Sequence, residues 1–411
     1  MTSAQVTSFP KDQIKVVLLE NIHQSAVELF RAEGFQVELL KGALKEEQLI
    51  EKISDAHLLG IRSKTQVSAK ALESARRLLS LGCFCIGINQ VDLGSANVRG
   101  VPVFNAPYSN TRSVAELIIC EVIALSRKLA DRSREMHEGM WKKTAEGSYE
   151  VRGKTLGIVG YGHIGSQVGV LAESIGMRVV FYDVMTKLPL GNNRPVSSLD
   201  ELLATADFVT LHVPATPQTH LMIRAEQLQA MKKGAHLLNL SRGTVVDIPA
   251  LAEALKSGHL AGAAVDVFPE EPEENGRNFN SPLMGVPNVI MTPHVGGSTL
   301  EAQEAIGREV ATSLIKFVNS GATTGAVNFP QVEPSPVPGA HRILNVHRNV
   351  PGVLRDINRI VSDANANIEQ QVLSTDANIG YLVMDLGAEV SEVVRKGISA
   401  LPTNIRTRVL Y

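Results

Sequence analysis

A glycine-rich turn between an apolar run and an amphipathic segment constrains this chain more than any other feature. TLGIV before the turn has the length and character of a buried strand, and QVGVLAESIG after it has helical spacing. In such a unit the first glycine permits the turn, the second lets a pyrophosphate approach the backbone, and the third lets helix and strand pack closely. The alternative is a plain strand-to-helix turn without a ligand. If the turn binds a dinucleotide, we expect Gly160, Gly162, His163, Ile164 and Gly165 to contact it.

An acidic residue at the end of the next apolar run favours the hypothesis that this turn binds a dinucleotide. Asp183 closes RVVFYD, 18 residues after Gly165, where a dinucleotide-binding fold places a carboxylate against the ribose 2′-hydroxyl. A carboxylate at this position repels a 2′-phosphate. The sequence therefore predicts NAD rather than NADP as the cofactor.

Strand-like and helix-like segments alternate on both sides of this turn. One series runs from Ile14 to Pro107, and a second runs from Lys154 to Gly297. Such alternation predicts an α/β fold with two doubly wound parallel sheets of the Rossmann or flavodoxin-like type. Long helical segments begin at Thr111 and Thr299, and we expect them to cross between the two parts.

The C-terminal part has a different order of helix-like and strand-like segments. Residues 328–339, NFPQVEPSPVPG, hold four of the 19 prolines and are typical of an extended linker. From residue 340 onward the segments follow the order β-α-β-β-α-β, which is that of a ferredoxin-like domain.

Composition excludes several classes of function. The 40 basic and 42 acidic residues give a formal charge of −2, so the chain has no basic footprint for a nucleic acid, and an anionic ligand must be bound by local cations. Two of the three cysteines form a C-x-C pattern and the third stands alone. This arrangement is typical neither of a disulfide framework nor of a metal site. The N-terminus lacks a signal-peptide pattern and no run is long enough to span a membrane, so we expect a cytoplasmic protein without a metal or membrane partner.

Three residues that follow apolar segments are candidates for chemistry. Arg242 in NLSRG can bind a carboxylate through two parallel hydrogen bonds, although a solvated arginine is the alternative. Glu271 lies in an acidic, proline-containing segment that alone indicates only a solvated loop. His294 in TPHVGG has the side chain that most readily takes and gives a proton near neutrality, with a structural histidine as the alternative.

Taken together and in this order, these motifs resemble the D-isomer-specific 2-hydroxyacid dehydrogenases. The resemblance covers nearly the whole chain and includes GYGHIG with Asp183, LHVP, SRG, AVDVF and TPHVGG. It implies a catalytic set of Arg242, Glu271 and His294, with Arg242 holding the substrate carboxylate and C2 oxygen, His294 acting as acid and base, and Glu271 orienting the histidine.

The resemblance also implies further cofactor contacts and a domain plan. The additional NAD contacts are His212, Val213, Pro214, Leu240, Ser241, Arg242, Asp266, His294, Val295, Gly296 and Gly297. The expected domains are a substrate-binding domain formed by residues 1–108 and 297–330, an NAD-binding domain at 109–296, a linker at 331–339 and an ACT regulatory domain at 340–411.

Within the family, the chain most resembles members that oxidise 3-phospho-D-glycerate to 3-phosphohydroxypyruvate, the first step of L-serine biosynthesis. The resemblance places the substrate near Arg62, Ser63, Lys64 and Asn110. Another substrate of the same family, a side reduction of 2-oxoglutarate to 2-hydroxyglutarate, and a non-enzymatic NAD-sensing role like that of corepressors on this scaffold stay open as alternatives.

The ACT-like tail implies regulation. In members of this type L-serine binds between paired ACT domains, and the matching positions here are His347, Asn349 and Asn367. The resemblance further implies feedback inhibition by L-serine and assembly as a homotetramer.

Overall fold

Two compact units make up the computed structural model, which describes residues 8–272 and 276–411. One unit contains the chain through Ser109 together with Gln303–Tyr411, and the other contains Asn110–Ala302. Within the described residues, no helix combines the length and the apolar character needed to cross a membrane.

A parallel sheet forms the centre of the first unit. In the described part of the chain it has the strand order β2-β1-β3-β4-β5. Its strands are β1 (Lys15–Leu18), β2 (Gln36–Leu39), β3 (Leu58–Ile61), β4 (Ser80–Cys83) and β5 (Val103–Asn105). Its helices are α1 (Gln24–Ala32), α2 (Glu46–Ile53), α3 (Ala69–Ser74) and α4 (Leu93–Val98), and a short 3-10 turn (Lys11–Gln13) precedes β1.

Alternate residues of the inner strand β1 contribute to two separate apolar layers. Val16 and Leu18 face a layer that includes Phe30 of α1, and Val17 faces the layer that includes Leu49 of α2. Because side chains alternate between the faces of a strand, a strand covered on both sides must be apolar throughout. This requirement accounts for the uninterrupted apolar run VVLL at residues 16–19.

The second unit is built around a larger parallel sheet with the order β12-β11-β10-β9-β6-β7-β8 among the described residues. Its strands are β6 (Thr155–Val159), β7 (Arg178–Tyr182), β8 (Arg194–Pro195), β9 (Phe208–Leu211), β10 (His236–Asn239), β11 (Gly262–Val265) and β12 (Val289–Met291). Its helices are α5 (Thr111–Ser126), α6 (Leu129–His137), α7 (His163–Ser174), α8 (Leu199–Thr205), α9 (Ala225–Ala230) and α10 (Ile248–Lys256), with a 3-10 turn at Gly243–Val245.

The long helical segment that begins at Thr111 is not continuous. The sequence predicts one helix through Ala130, but α5 ends at Ser126 and α6 begins at Leu129, with Lys128 in a left-handed conformation at φ +52°. Long-range contacts redirect the chain here. The Ser126 carbonyl accepts from the Tyr149 amide at 2.9 Å, and the Asp131 carboxylate accepts from the Asn288 amide at 2.7 Å.

The C-terminal part of the first unit is an antiparallel sheet with the order β14-β15-β13-β16 in the described residues. It contains β13 (His341–Arg348), α12 (Val353–Asp363), β14 (Ile368–Thr375), β15 (Ile379–Leu386), α13 (Ala388–Ser399) and β16 (Asn404–Leu410). This is the predicted β-α-β-β-α-β order. Together with the two parallel sheets it confirms the predicted fold class.

Both faces of this antiparallel sheet are covered. Val353, Ile357 and Val361, four residues apart on α12, pack on one face. On the other face Tyr381 belongs to the same apolar cluster as Leu314 of the long helix α11 (Leu300–Ser320), which supplies Gln303–Ser320 to this unit.

A buried ion pair ties the proline-rich segment to this sheet. The Arg342 guanidinium donates to both carboxylate oxygens of Asp385, at 2.7 and 2.8 Å. It also donates to the carbonyls of Ser335, at 2.6 Å, and of Ser320, at 3.1 Å. A bidentate pair of this kind fixes geometry as well as charge, so one arginine holds the sheet, residue 335 and the end of α11 in place.

Candidate active site

The three candidate catalytic residues follow three neighbouring strands of the larger sheet. Arg242 comes after β10, Glu271 after β11 and His294 after β12, and these strands are adjacent and parallel. The carboxyl ends of parallel strands lie at one edge of a sheet, where ligands bind in open α/β folds. The structure therefore brings together residues that are up to 52 positions apart in the sequence (294 − 242).

A short hydrogen bond joins the histidine to the glutamate. His294 Nδ1 lies 2.8 Å from Glu271 Oε2, and the other oxygen of Glu271 accepts from the Phe268 amide at 3.0 Å. Since the amide fixes one oxygen, the other is aimed at the ring. With Nδ1 donating to the carboxylate, the proton-accepting lone pair of the neutral ring is on Nε2.

The histidine and the glutamate shift each other's proton affinity. The hydrogen bond to Glu271 raises the pKa of His294 above its usual 6.5, while partial burial opposes this effect. Partial burial raises the pKa of Glu271, but the bonds from His294 and from the Phe268 amide outweigh it, so the net pKa of Glu271 is lowered. The arrangement favours a charged pair, as expected for a carboxylate that stabilises a protonated histidine.

The backbone of His294 is held in an uncommon conformation. Its φ is +55°, in the left-handed region that residues with side chains rarely adopt. Its amide donates to the Asp266 carbonyl at 2.8 Å, and the Asp266 carboxylate accepts from the amides of Val295 and Gly296 and from the Thr292 hydroxyl, at 2.8, 2.8 and 2.6 Å. Such strain persists where the surroundings over-determine the backbone, and buried Asp266 supplies that restraint.

Arg242 begins a tight turn that a buried asparagine organises. Asn239, which is fully buried, donates to the Arg242 carbonyl at 3.0 Å and accepts from the Ser241 amide and hydroxyl, at 3.2 and 2.9 Å. The half-buried Arg242 guanidinium donates to the Ser241 carbonyl at 2.7 Å. Its charge also acts on the pair of His294 and Glu271, which places all three in one electrostatic environment.

The glycine-rich turn has the geometry that its sequence predicts. Gly160 has φ +92°, and a Cβ there would collide with the His212 carbonyl. A Cβ on Gly165 would collide with the Gly160 carbonyl, whereas one on Gly162 would meet no described atom within 4 Å. Helix α7 begins at His163 without a side-chain cap. The open space at Gly162 and the helix N-terminus at His163 fit a pyrophosphate.

Asp183 is anchored beside this turn. Its carboxylate accepts from the Tyr161 amide at 2.8 Å and from the Met185 amide at 2.9 Å. These bonds fix the carboxylate at the carboxyl end of β7, next to β6 and the turn. The position suits recognition of a ribose hydroxyl.

The remaining predicted NAD contacts border the same edge. A Cβ on Gly160 would also approach Val213, which with Pro214 follows β9. The His212 ring bonds Thr210 at 3.0 Å, and burial lowers its pKa to about 3, so it is neutral at physiological pH. Leu240 and Ser241 are buried after β10. Their contact with a cofactor stays a prediction, as does that of Asp266 and of the Val295–Gly297 segment.

Asn110 lies against Gly297, in the loop that follows His294. A Cβ on Gly297 would collide with the Asn110 amide, and the buried Asn110 Oδ1 has no hydrogen-bond partner among the described residues. An unpaired buried carbonyl is uncommon and is consistent with a group that contacts a ligand. Its role in substrate binding stays a prediction.

The predicted phosphate-binding residues belong to the first unit. Arg62, Ser63 and Lys64 follow β3 at the carboxyl edge of its sheet, with Arg62 half-buried and the other two exposed. The structure does not test their contact with a substrate.

The predicted serine-binding residues are separated within one chain. The His347 ring is buried and bonds Asn345 at 2.9 Å, and burial lowers its pKa. Asn349 donates to the Asp376 carbonyl at 2.6 Å. Exposed Asn367 precedes Ile368, which pairs with Leu386, whereas His347 pairs with Gly380. Six residues of strand separate these pairs, or about 20 Å, so a shared site requires a second chain.

Sequence patterns did not identify several positioning residues. Asn239 and the restraining role of Asp266 depend on contacts formed after folding. The local signal for Asn239 is its place at a strand end two residues before Ser241, because asparagine side chains often bond the backbone two residues on. Phe268, whose amide holds Glu271, has no sequence signal because the contact is made by its backbone.

Known proteins resemble this chain in sequence and fold. Residues 119–296 match the family model described as D-isomer specific 2-hydroxyacid dehydrogenase, NAD binding domain, and residues 343–406 match an AHAS small subunit-like ACT domain. D-3-phosphoglycerate dehydrogenase of Dictyostelium discoideum is 58% identical over 98% of this chain and 99% of its own length. The enzyme of that name from Escherichia coli K12 is 53% identical with the same coverage.

A solved structure gives a further likeness. The crystal structure of D-lactate dehydrogenase from Aquifex aeolicus, complexed with NAD and lactic acid, is 28% identical with a TM-score of 0.65. The likeness covers 74% of this chain and 95% of that one.

Proposed function

Because the chain belongs to the D-isomer-specific 2-hydroxyacid dehydrogenase family, we propose that it oxidises 3-phospho-D-glycerate to 3-phosphohydroxypyruvate with NAD, the first step of L-serine biosynthesis. The observation that carries the proposal is the pair formed by His294 and Glu271, 2.8 Å apart beside Arg242 at three adjacent strand ends. The substrate comes from the relatives, whose name states phosphoglycerate and which match over nearly their full length.

Family membership confirms three predictions. The chain is an NAD-dependent dehydrogenase of this family, NAD is its cofactor, and its C-terminal part is an ACT domain. The finer assignments below are proposals.

Residues of the larger sheet would hold the cofactor. The amides at the start of α7 and the open space at Gly162 fit the pyrophosphate, and Asp183 fits the ribose. Bound NAD supplies the carbon that accepts hydride from substrate C2. The contribution of the protein is orientation and electrostatics.

Arg242 would bind the substrate carboxylate and the C2 oxygen. A guanidinium can donate two parallel hydrogen bonds to a carboxylate, and the bonds from Asn239 fix the turn that carries it. Holding C2 in one orientation converts a bimolecular encounter into an intramolecular step, which is a major source of rate acceleration.

His294 would remove the C2 hydroxyl proton during oxidation and return it during reduction. Oxidation requires the neutral ring with its lone pair on Nε2, and the Nδ1 bond to Glu271 selects this tautomer. The carboxylate then stabilises the protonated ring. Since the same bond raises the His294 pKa, the fraction of histidine able to act as a base grows as pH rises through that pKa.

Local cations would bind the substrate phosphate, since the net charge of −2 supplies no broad positive field. We assign this role to Arg62, Ser63 and Lys64 and assign Asn110 to a polar substrate contact, all from the family resemblance. In the same way we assign residues 1–108 with 297–330 to the substrate-binding domain, 109–296 to the NAD-binding domain, 331–339 to the linker and 340–411 to the regulatory domain.

Regulation by L-serine and a side reduction of 2-oxoglutarate to 2-hydroxyglutarate extend the proposal. We propose that L-serine inhibits the enzyme through His347 and Asn349 of one chain and Asn367 of another, in a homotetramer in the cytoplasm. The distance between these positions within one chain supports a site shared by two chains. Saturating serine should lower turnover of the intact protein, and an unchanged rate at all substrate levels would contradict this assignment.

The proposed substrate is tested by comparing three oxo acids. NADH oxidation is followed by absorbance with 3-phosphohydroxypyruvate, hydroxypyruvate and 2-oxoglutarate at matched enzyme concentration. We expect the highest kcat/KM for the phosphorylated compound. Equal or better turnover of an unphosphorylated compound would indicate another family substrate, and no turnover with any compound while NADH still binds would favour an NAD-sensing protein.

A further inference from the structure

A buried glutamate is bonded to the backbone of the proposed phosphate-binding loop. Glu20 follows β1, next to β3, which ends one residue before Arg62. Its carboxylate accepts hydrogen bonds from the amides of Arg62, Lys64 and Thr65, at 3.2, 3.0 and 2.9 Å. Glu20 is 8% exposed, so this charge-assisted contact is largely shielded from water.

The backbone at Glu20 is held in a strained conformation that directs its side chain at the loop. Glu20 and Asn21 have φ of +59° and +53°, both in the left-handed region. The Glu20 amide donates to the Gly42 carbonyl and the Asn21 amide to the Leu40 carbonyl, each at 3.1 Å. Two consecutive residues with side chains adopt this region only where the surroundings hold them, and such strain clusters at functional sites.

A second buried side chain fixes the other backbone group of the same arginine. Gln90, 3% exposed, donates from Nε2 to the Arg62 carbonyl at 2.7 Å and to the Gly87 carbonyl at 3.1 Å. The amide and the carbonyl of Arg62 are therefore both held by buried side chains that are distant in the sequence. The Arg62 backbone, from which the side chain extends, therefore has little freedom to move.

We infer that Glu20, assisted by Gln90, is a positioning residue that sets the specificity of the enzyme for a phosphorylated substrate. This inference rests on the proposed function, because it assigns the loop to the substrate phosphate. The three amides form a concave anion-binding arrangement of the kind that often holds phosphate, but here the Glu20 carboxylate occupies it. These three amides are therefore not available to the phosphate, and we assign its binding to the side chains of the loop that Glu20 holds in place.

The test separates binding of the phosphate from binding of the rest of the substrate. Glu20→Gln and Gln90→Ala are compared with the unmodified chain, and Glu28→Gln on the exposed face of α1 is the matched control. The measurements are kcat and KM for 3-phosphohydroxypyruvate and for hydroxypyruvate, the Kd of NADH, and the thermal unfolding midpoint. A glutamine keeps the size of Glu20 but places an amide donor against a backbone donor.

We expect KM for 3-phosphohydroxypyruvate to rise about tenfold in Glu20→Gln, equivalent to about 1.4 kcal/mol. KM for hydroxypyruvate and the Kd of NADH should change less than twofold, Gln90→Ala should shift the same ratio by less, and Glu28→Gln should shift nothing. Equal effects on both oxo acids, or a lower unfolding midpoint with no change in the KM ratio, would overturn the inference and leave Glu20 a structural residue.

Failure of the proposed function has a different signature. It would appear in the unmodified chain as the absence of any preference for the phosphorylated oxo acid, whatever the variants do. If Glu20→Gln does not fold, the Gln90→Ala ratio alone decides, since Gln90 fixes the same Arg62 backbone through a neutral contact. An unchanged ratio there would also overturn the inference.

Discussion

Replacing Glu271 by glutamine tests how the carboxylate sets the protonation state and tautomer of His294, the proposed acid–base group. In the structure Glu271 has two acceptor oxygens, and both face donors: the Phe268 amide and His294 Nδ1–H. A glutamine has one oxygen and one NH₂ group. If its oxygen stays on the Phe268 amide, its NH₂ donates to Nδ1, which moves the ring proton to Nε2 and removes the lone pair needed for oxidation.

The penalty for restoring the correct tautomer follows from the same contacts. The glutamine must then turn its NH₂ towards the Phe268 amide, leaving a donor unpaired at a cost of about 1–3 kcal/mol. The Glu271 side chain is 36% exposed, so water partly compensates an unpaired donor and the lower part of that range applies, about 1–2 kcal/mol. At about 1.4 kcal/mol per tenfold change in rate, kcat for oxidation should fall about 5- to 30-fold.

The pH dependence supplies a second readout. The bond to Glu271 raises the His294 pKa, so its loss should lower that pKa and move the rising limb of the oxidation rate to lower pH, while the plateau falls. Initial rates of NADH formation from 3-phosphoglycerate, measured across neutral and alkaline pH, check both effects. Glu270→Gln is the matched control, since Glu270 is adjacent and exposed. A Glu271→Gln enzyme within twofold of the unmodified rate, with the same pH profile, would refute the tautomer mechanism.

Three further outcomes are expected. His294→Ala should lose about 10²- to 10⁴-fold in kcat, the usual contribution of a general acid–base group, with the Kd of NADH unchanged by fluorescence titration. Asp183→Ala should weaken NAD binding by about 10- to 100-fold through loss of charge-assisted bonds and should reduce the preference for NAD over NADP, measured by the ratio of their KM values. Arg342→Ala leaves Asp385 buried and unpaired, so the free energy of unfolding in urea should fall by about 3–5 kcal/mol.

Local patterns predicted much of the fold, and the family resemblance indicated the three residues proposed for catalysis. The alternation of segments predicts the parallel sheets, and the β-α-β-β-α-β order predicts the C-terminal domain. Arg242, Glu271 and His294 each follow a strand, and adjacent strands bring them to one edge. Each alone has an ordinary structural explanation, and their combination in known motifs is what identified them.

The positioning residues could not be predicted because their roles depend on contacts distant in the sequence. Glu20 bonds a loop 42–45 residues away, and Asp266 restrains the loop of His294 from nearly 30 residues away. The break between α5 and α6 has no glycine or proline at Lys128 to mark it. In each case tertiary contacts determine a conformation that the local sequence does not specify.

The pH dependence of kcat/KM for 3-phosphoglycerate oxidation by the unmodified chain tests the central claim most directly. We expect the rate to rise with pH through one ionisation whose pKa lies above the usual 6.5 of histidine, because Glu271 stabilises the protonated ring. The same ionisation should be missing from the residual rate of His294→Ala. A rate that does not change with pH through this range, or a rising limb that survives in His294→Ala, would contradict His294 as the base.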